Sequence, residues 1–185
     1  MKKTGLIIIV VLVLLVLMGI GSYNGLVSKE EEVDNKFADI SVQLERRADL
    51  IPNLVSTVKG YASHEESVID SVTTARERLV NANTIEDKAE ANQELTKALN
   101  NLFVIVENYP DLKANTNFIQ LQDELAGTEN RIAVARRDYN GAVKSYNKDI
   151  KSFPKSILAG MFGFDKKDYF EAKESSSEVP NVSFE

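Results

Sequence analysis

The chain has 185 residues, 28 acidic against 22 basic, for a formal net charge of −6, with one histidine and no cysteine. A surface of that sign repels a phosphate backbone, so nucleic acid is not an expected partner. Without cysteine there is no disulfide framework, thiolate metal site or lipidated-cysteine anchor, and one histidine cannot build a His-rich centre, so no metal or other cofactor is expected.

Lys2 and Lys3 precede Gly5 to Gly21, 17 consecutive apolar or glycine residues, and no charge occurs from Thr4 to Ser28. A helix of that length can cross a hydrocarbon core of about 30 Å. A cleaved signal peptide is the competing reading. Its apolar region usually runs about 7 to 15 residues and ends in small residues of A-x-A type, absent here, so a retained membrane anchor over 1–28 is expected. Lysines on one flank and Glu30-Glu31-Glu32 on the other put the N-terminus in the cytoplasm and the remainder outside it.

Apolar spacing resumes at Leu26 and Val27 with little turn signal before it. It continues through Val33, Phe37, Ile40 and Leu44, and again through Ile51, Val55, Val58 and Ala62. From Val33 onward the steps are 3 and 4 with one gap of 7 that falls on Arg47 or Ala48, the period of a long packed helix. Pro52 removes a backbone donor and crowds the carbonyl of Ala48, so the helix should kink there or restart with Asp49 as its N-cap. Gly60 marks its end, and Ser63-His64-Glu65-Glu66 reads as a capping box for a second helix. That helix should bury Val68, Val72, Ala75, Leu79 and Ala82, with Ile69 flanking. Thr84 to Asp87 caps a third, with a stripe of Ala91, Leu95, Ala98, Leu102, Ile105 and Tyr109, and Pro110 forbids its continuation.

The fourth helix begins near Asn115 or Thr116. Its stripe is Phe118, Leu121, Leu125, Thr128, Ile132, Ala135, Tyr139, Ala142 and Tyr146, a coiled-coil-like seam. The fold class is therefore all-α: an N-terminal transmembrane helix, then an antiparallel up-and-down bundle of four helices over 29–152, the first and last long. Phe153-Pro154 ends the bundle. The apolar Ile157 to Phe164 is too short to span a bilayer and serves either as an interfacial membrane contact or as a strap over the open end of the bundle. Glu171 to Glu185 is serine-rich and acidic and reads as disordered, so 153–185 forms a membrane-proximal segment and tail.

Helical rise gives about 50 Å for the first helix beyond the membrane and about 25 Å for the second. On that path the Tyr61 to Glu65 turn meets the Tyr109 to Asn115 loop far from the membrane. Tyr61, His64, Glu65, Tyr109, Pro110 and Asp111 are thus candidate partner contacts, since an aromatic and a proline on a loop tip suit recognition. The plainer reading is a helix start and a helix stop with a turn. Arg47 and Asp49 fall level with Arg76, Glu124 and Glu129, and with Arg46 they form a candidate internal ionic layer that fixes helix register. A binding site for an anionic ligand at Arg46, Arg47 and Asp49 is the competing reading.

Four motifs in order carry a family resemblance: RRADLIPNLV (46–55), VKGYASHE (58–65), TTARERL (73–79) and ENYPDLKAN (107–115). The chain resembles the LemA family of bacterial membrane proteins from its apolar N-terminus to Met161-Phe162-Gly163-Phe164. The resemblance implies a single membrane helix, an extracytoplasmic helical bundle and no established enzymatic activity. No nucleophile and base pairing, phosphate loop or metal-ligand spacing competes with it, so no catalytic residue is named. The expected role is a non-enzymatic adaptor or scaffold, held in the cytoplasmic (inner) membrane and presenting its far end to an envelope protein. The alternatives are a self-associating structural homo-oligomer of the envelope and a hydrolase using carboxylates such as Glu65 and Asp111.

Overall fold

The computed structural model describes residues 2–62 and 64–172. Among them are six helices and no strand: α1 (Lys2–Lys59), α2 (Glu66–Asn81), α3 (Ile85–Val106), α4 (Pro110–Lys113), α5 (Thr116–Lys151) and α6 (Lys155–Phe162). The chain is all-helical as expected, but two short helices join the four read from spacing. Pro110 stops α3 and also starts α4, because a proline in the first turn gives up a donor that would be unpaired anyway. The tail read as disordered lies mostly outside the described residues, which end at Ala172.

The membrane-length apolar stretch and the first bundle helix are one element, since α1 continues without a break from Lys2 to Lys59. The side chains of Leu6 to Ile20 are exposed, as suits a segment that meets lipid and not protein. The restart expected at Asp49 does not occur, and helix α1 passes through Pro52. Its missing N–H would leave the carbonyl of Ala48 unpaired, and Arg76 of α2 supplies the donor, Nε to oxygen at 2.9 Å. At the head of α2, Glu65 occupies the N-cap position without a side-chain cap, and the Ser63 half of the expected capping box lies outside the described residues. Thr84 does cap α3, its hydroxyl accepting from the Asp87 N–H at 3.0 Å.

The described chain forms two compact units. The first comprises Met1–Gln43 and Arg131–Tyr169. Here the early part of α1 and the late part of α5 run antiparallel. Lys29 pairs with Asp149, the Phe37 and Tyr139 rings stand 5.8 Å apart, and Arg131 donates to Gln43. Leu26, Val33, Ile40, Ile132, Tyr139, Val143 and Tyr146 are buried in this unit, each large side chain contributing about 1.5–3 kcal/mol by leaving water.

Beyond α6 the chain turns back on itself. Gly163 takes φ 75°, the left-handed conformation that a side chain would strain, and the Phe164 N–H closes onto the Ala159 carbonyl at 3.0 Å. The following segment is then fastened along the hairpin. The Asn147 amide accepts from the Lys167 N–H at 3.0 Å and donates to its carbonyl at 2.8 Å, as a neighbouring strand would. The Tyr139 hydroxyl donates to the Asp168 carbonyl at 2.8 Å, and Lys167 Nζ reaches Glu30 at 2.8 Å.

The second unit is built on Leu44–Asn130 and gathers the end of α1, helices α2 to α4 and the start of α5. Its core holds Leu44, Ile51, Leu54, Val58, Ile69, Val72, Leu79, Leu95, Leu102, Leu112, Phe118 and Leu125. Ala48, Ala75, Ala91 and Ala98 are buried among them, small positions into which larger ones interdigitate. The stripe of α2 starts at Ile69, with Val68 and Ala82 only half-buried. Every residue of the stripe read for α5 is buried or half-buried.

Candidate functional site

Two groups of polar side chains in the second unit contain the residues singled out by spacing. The first centres on Arg47, whose place in α1 is the gap in the apolar stripe. Arg47 is 3% exposed, so its charge needs partners. Its Nη1 donates to Asn92 Oδ1 at 2.7 Å and to Thr96 Oγ1 at 3.0 Å, and lies 2.5 Å from Glu129 Oε2. Burial holds the Arg47 pKa below its ordinary value, and the Glu129 carboxylate opposes that shift. Nε of Arg47 is buried without a hydrogen-bond partner among the described residues.

The expected ionic layer is thus smaller than its six residues. Arg46 pairs with Glu124 at 3.0 Å, but both are half exposed, and such pairs contribute about 0–1 kcal/mol. Arg76 serves the Ala48 carbonyl and no carboxylate among the described residues. Asp49 stands outside the layer, exposed on α1. Two residues from Arg47 it is turned by about 200°, since i and i+2 do not share a helix face. Spacing missed Asn92 and Thr96. The available signal was a pair of polar residues four apart, on one face of α3 beside Ala91 and Leu95.

The second group joins the turn after α1 to α4. The Tyr109 hydroxyl donates to Glu65 Oε1 at 2.8 Å, and this bond to the carboxylate raises the phenol pKa above its ordinary value. Asn115 Nδ2 donates to the Tyr61 hydroxyl at 2.9 Å, while its Oδ1 accepts from the Phe118 N–H at 3.1 Å and so caps α5. Buried Leu112 anchors α4 from below, and Lys113 pairs with Glu107 at 2.5 Å. The six expected contacts therefore divide. Glu65 and Tyr109 are half-buried and fasten the turns, whereas Tyr61, His64, Pro110 and Asp111 face outward. An open groove lined by Asn53, Thr57, Asn117 and Gln120 adds amides and a hydroxyl to the same unit.

The arrangement commits its buried polar groups to holding helices together and leaves its outward ones as surface. A helical unit of that kind, on a chain whose first helix has the length and apolarity to cross a bilayer, defines a membrane-associated helical protein. The chain belongs to the LemA family, whose sequence pattern matches residues 36–184. Curated relatives include the magnetosome protein MamQ 2 of Paramagnetospirillum magneticum, 28% identical over 82% of this chain and 65% of that protein. MamQ of Magnetospirillum gryphiswaldense is 27% identical over the same shares. Protein LemA of Metamycoplasma hominis is 27% identical over 84% of this chain and 71% of its own. The chain thus spans just under two thirds of the length of the MamQ proteins it matches.

Proposed function

We propose that the chain is a non-enzymatic interaction module of the bacterial cell envelope, anchored in the cytoplasmic membrane with the bundle outside the cytoplasm, and that it engages a protein partner through the turn cluster. The observation that carries this reading is the way the cluster is built. Tyr109 on Glu65, Asn115 on Tyr61 and Leu112 in the core hold the turns still, so Tyr61, Pro110 and Asp111 are displayed at low conformational cost. A rigid, exposed aromatic beside a proline and a carboxylate suits recognition of a folded protein surface. Lys2 and Lys3 before the apolar stretch, against Glu30 to Glu32 after it, support the orientation.

In-cell crosslinking tests the proposal. A photoreactive residue replaces Asp111, which is exposed, in the full-length chain. Capture of one defined envelope protein, lost when Tyr61 is changed to Ala, is the expected result. Capture of this chain alone would overturn the adaptor role in favour of a structural oligomer.

A further inference from the structure

Helix α6 has the burial pattern of a soluble helix turned inside out. Its small Ala159 is buried, while Ile157 is 55%, Met161 71% and Phe162 57% exposed, and Phe153 just before the helix is 83% exposed. Ile157 and Met161 stand four apart and so share one face, with Phe162 beside them. Apolar side chains in such a row are costly in water and call for a covering surface.

What covers them is given by the neighbours of Phe162. Tyr23 lies two residues beyond Gly21, where the apolar stretch of α1 ends, and its ring meets Phe162 edge-on at 4.9 Å and Phe164 at 5.6 Å. The outward face of α6 is therefore level with the point at which α1 leaves the hydrocarbon. Tyrosine at that depth sits with its ring in the acyl boundary and its hydroxyl among headgroups. The turn at Gly163 and the clasp of Lys167 on Asn147 hold α6 at this level, since both fasten the chain that follows it. Lys155 at its start is tied to Asp149 at 2.5 Å, which keeps that charge off the apolar face.

We infer that α6 is an interfacial helix that lies in the headgroup and acyl boundary of the bilayer spanned by α1, with Ile157, Met161 and Phe162 inserted among the lipids. The inference rests on the membrane-anchored reading of α1, and its occupant is lipid. Burial of a row of this size in the interface scales with the apolar area removed from water and gives the short helix a second hold on the membrane.

The test uses the full chain, which lacks cysteine, carrying a single cysteine with an environment-sensitive fluorophore at Leu14, Met161 or Val134. Each is reconstituted into vesicles of phosphatidylcholine and phosphatidylglycerol with bromine on the acyl chains at shallow or deep positions. Val134 is an exposed control, on α5 at a level 14 to 20 residues of α1 beyond Tyr23, or about 20–30 Å. The expected result is strong quenching of Leu14 by deep bromines, of Met161 by shallow bromines, and none of Val134. Quenching of Leu14 with none of Met161 would overturn the inference and leave the anchor standing. Quenching of neither would overturn both. A second variant, Ile157→Glu with the label kept at Met161, is expected to lose at least half of the shallow quenching, and unchanged quenching would overturn the role given to that face.

Discussion

Arg47 shows what one buried charge does to a helical bundle. Its removal leaves Asn92 and Glu129 without their donor, but Glu129 is partly exposed and can rehydrate, so the loss is smaller than for a fully enclosed pair. Arg47→Met is expected to destabilise the chain by about 2–3 kcal/mol, and combining it with Glu129→Gln should recover part of that, both read from urea unfolding followed by helicity. Pro52 and Arg76 make a cleaner pair. Arg76→Met alone should cost about 1–2 kcal/mol, because it strips the Ala48 carbonyl of the donor that stands in for the missing proline N–H. In a Pro52→Ala background the new N–H takes over that carbonyl, and the cost of Arg76→Met should fall to a few tenths of a kcal/mol. Equal costs in the two backgrounds would show that Arg76 acts through something else. At this scale the sequence was readable where a residue breaks a pattern, as Arg47 and Pro52 do. It was silent on partners such as Asn92, because a polar residue beside an apolar stripe looks like surface until a third helix is placed against it.

At the scale of elements, the hairpin of α1 and α5 carries its own pH dependence. Asp149, hydrogen-bonded by Lys155 and Lys29, is held below the usual carboxylate range. Its contribution is present above the unfolded carboxylate pKa and is lost as pH falls through the folded value. Asp149→Asn should therefore lower thermal stability at neutral pH and converge on the parent in strong acid. Tyr139 behaves in the opposite sense at the alkaline end. Burial, with Asp168 and Asp34 nearby, pushes its phenol up to about 12. Between about 10 and 12 the unfolded chain loses the proton first, so stability falls through that window, and Tyr139→Phe should flatten the fall while losing about 1 kcal/mol at neutral pH from the Asp168 bond. Lys167, raised chiefly by its hydrogen bond to Glu30, loses its contribution as pH rises through its folded value. The elements themselves were largely legible from apolar spacing, α5 most of all. Helices α4 and α6 were not, because at four and eight residues neither is long enough to display a period.

For the whole molecule, family membership and an all-helical fold follow from the chain itself, whereas sidedness needs a direct measurement. A single cysteine replacing exposed Asp111 is expected to react in intact cells with a membrane-impermeant maleimide; reaction only after lysis would reverse the orientation. The residues that fold the protein were easier to find by spacing than the proposed contact residues, since packing leaves a period and recognition leaves none. If a partner docks on the turn cluster as proposed, one contact would report its arrival. Asn115 divides its amide, Nδ2 donating to the hydroxyl of Tyr61 and Oδ1 capping the first turn of α5, so a partner group that donates to that hydroxyl competes with Asn115 for it. Such a donor would loosen the cap that Asn115 Oδ1 places on α5 and speed amide exchange at Phe118, a local readout of occupancy.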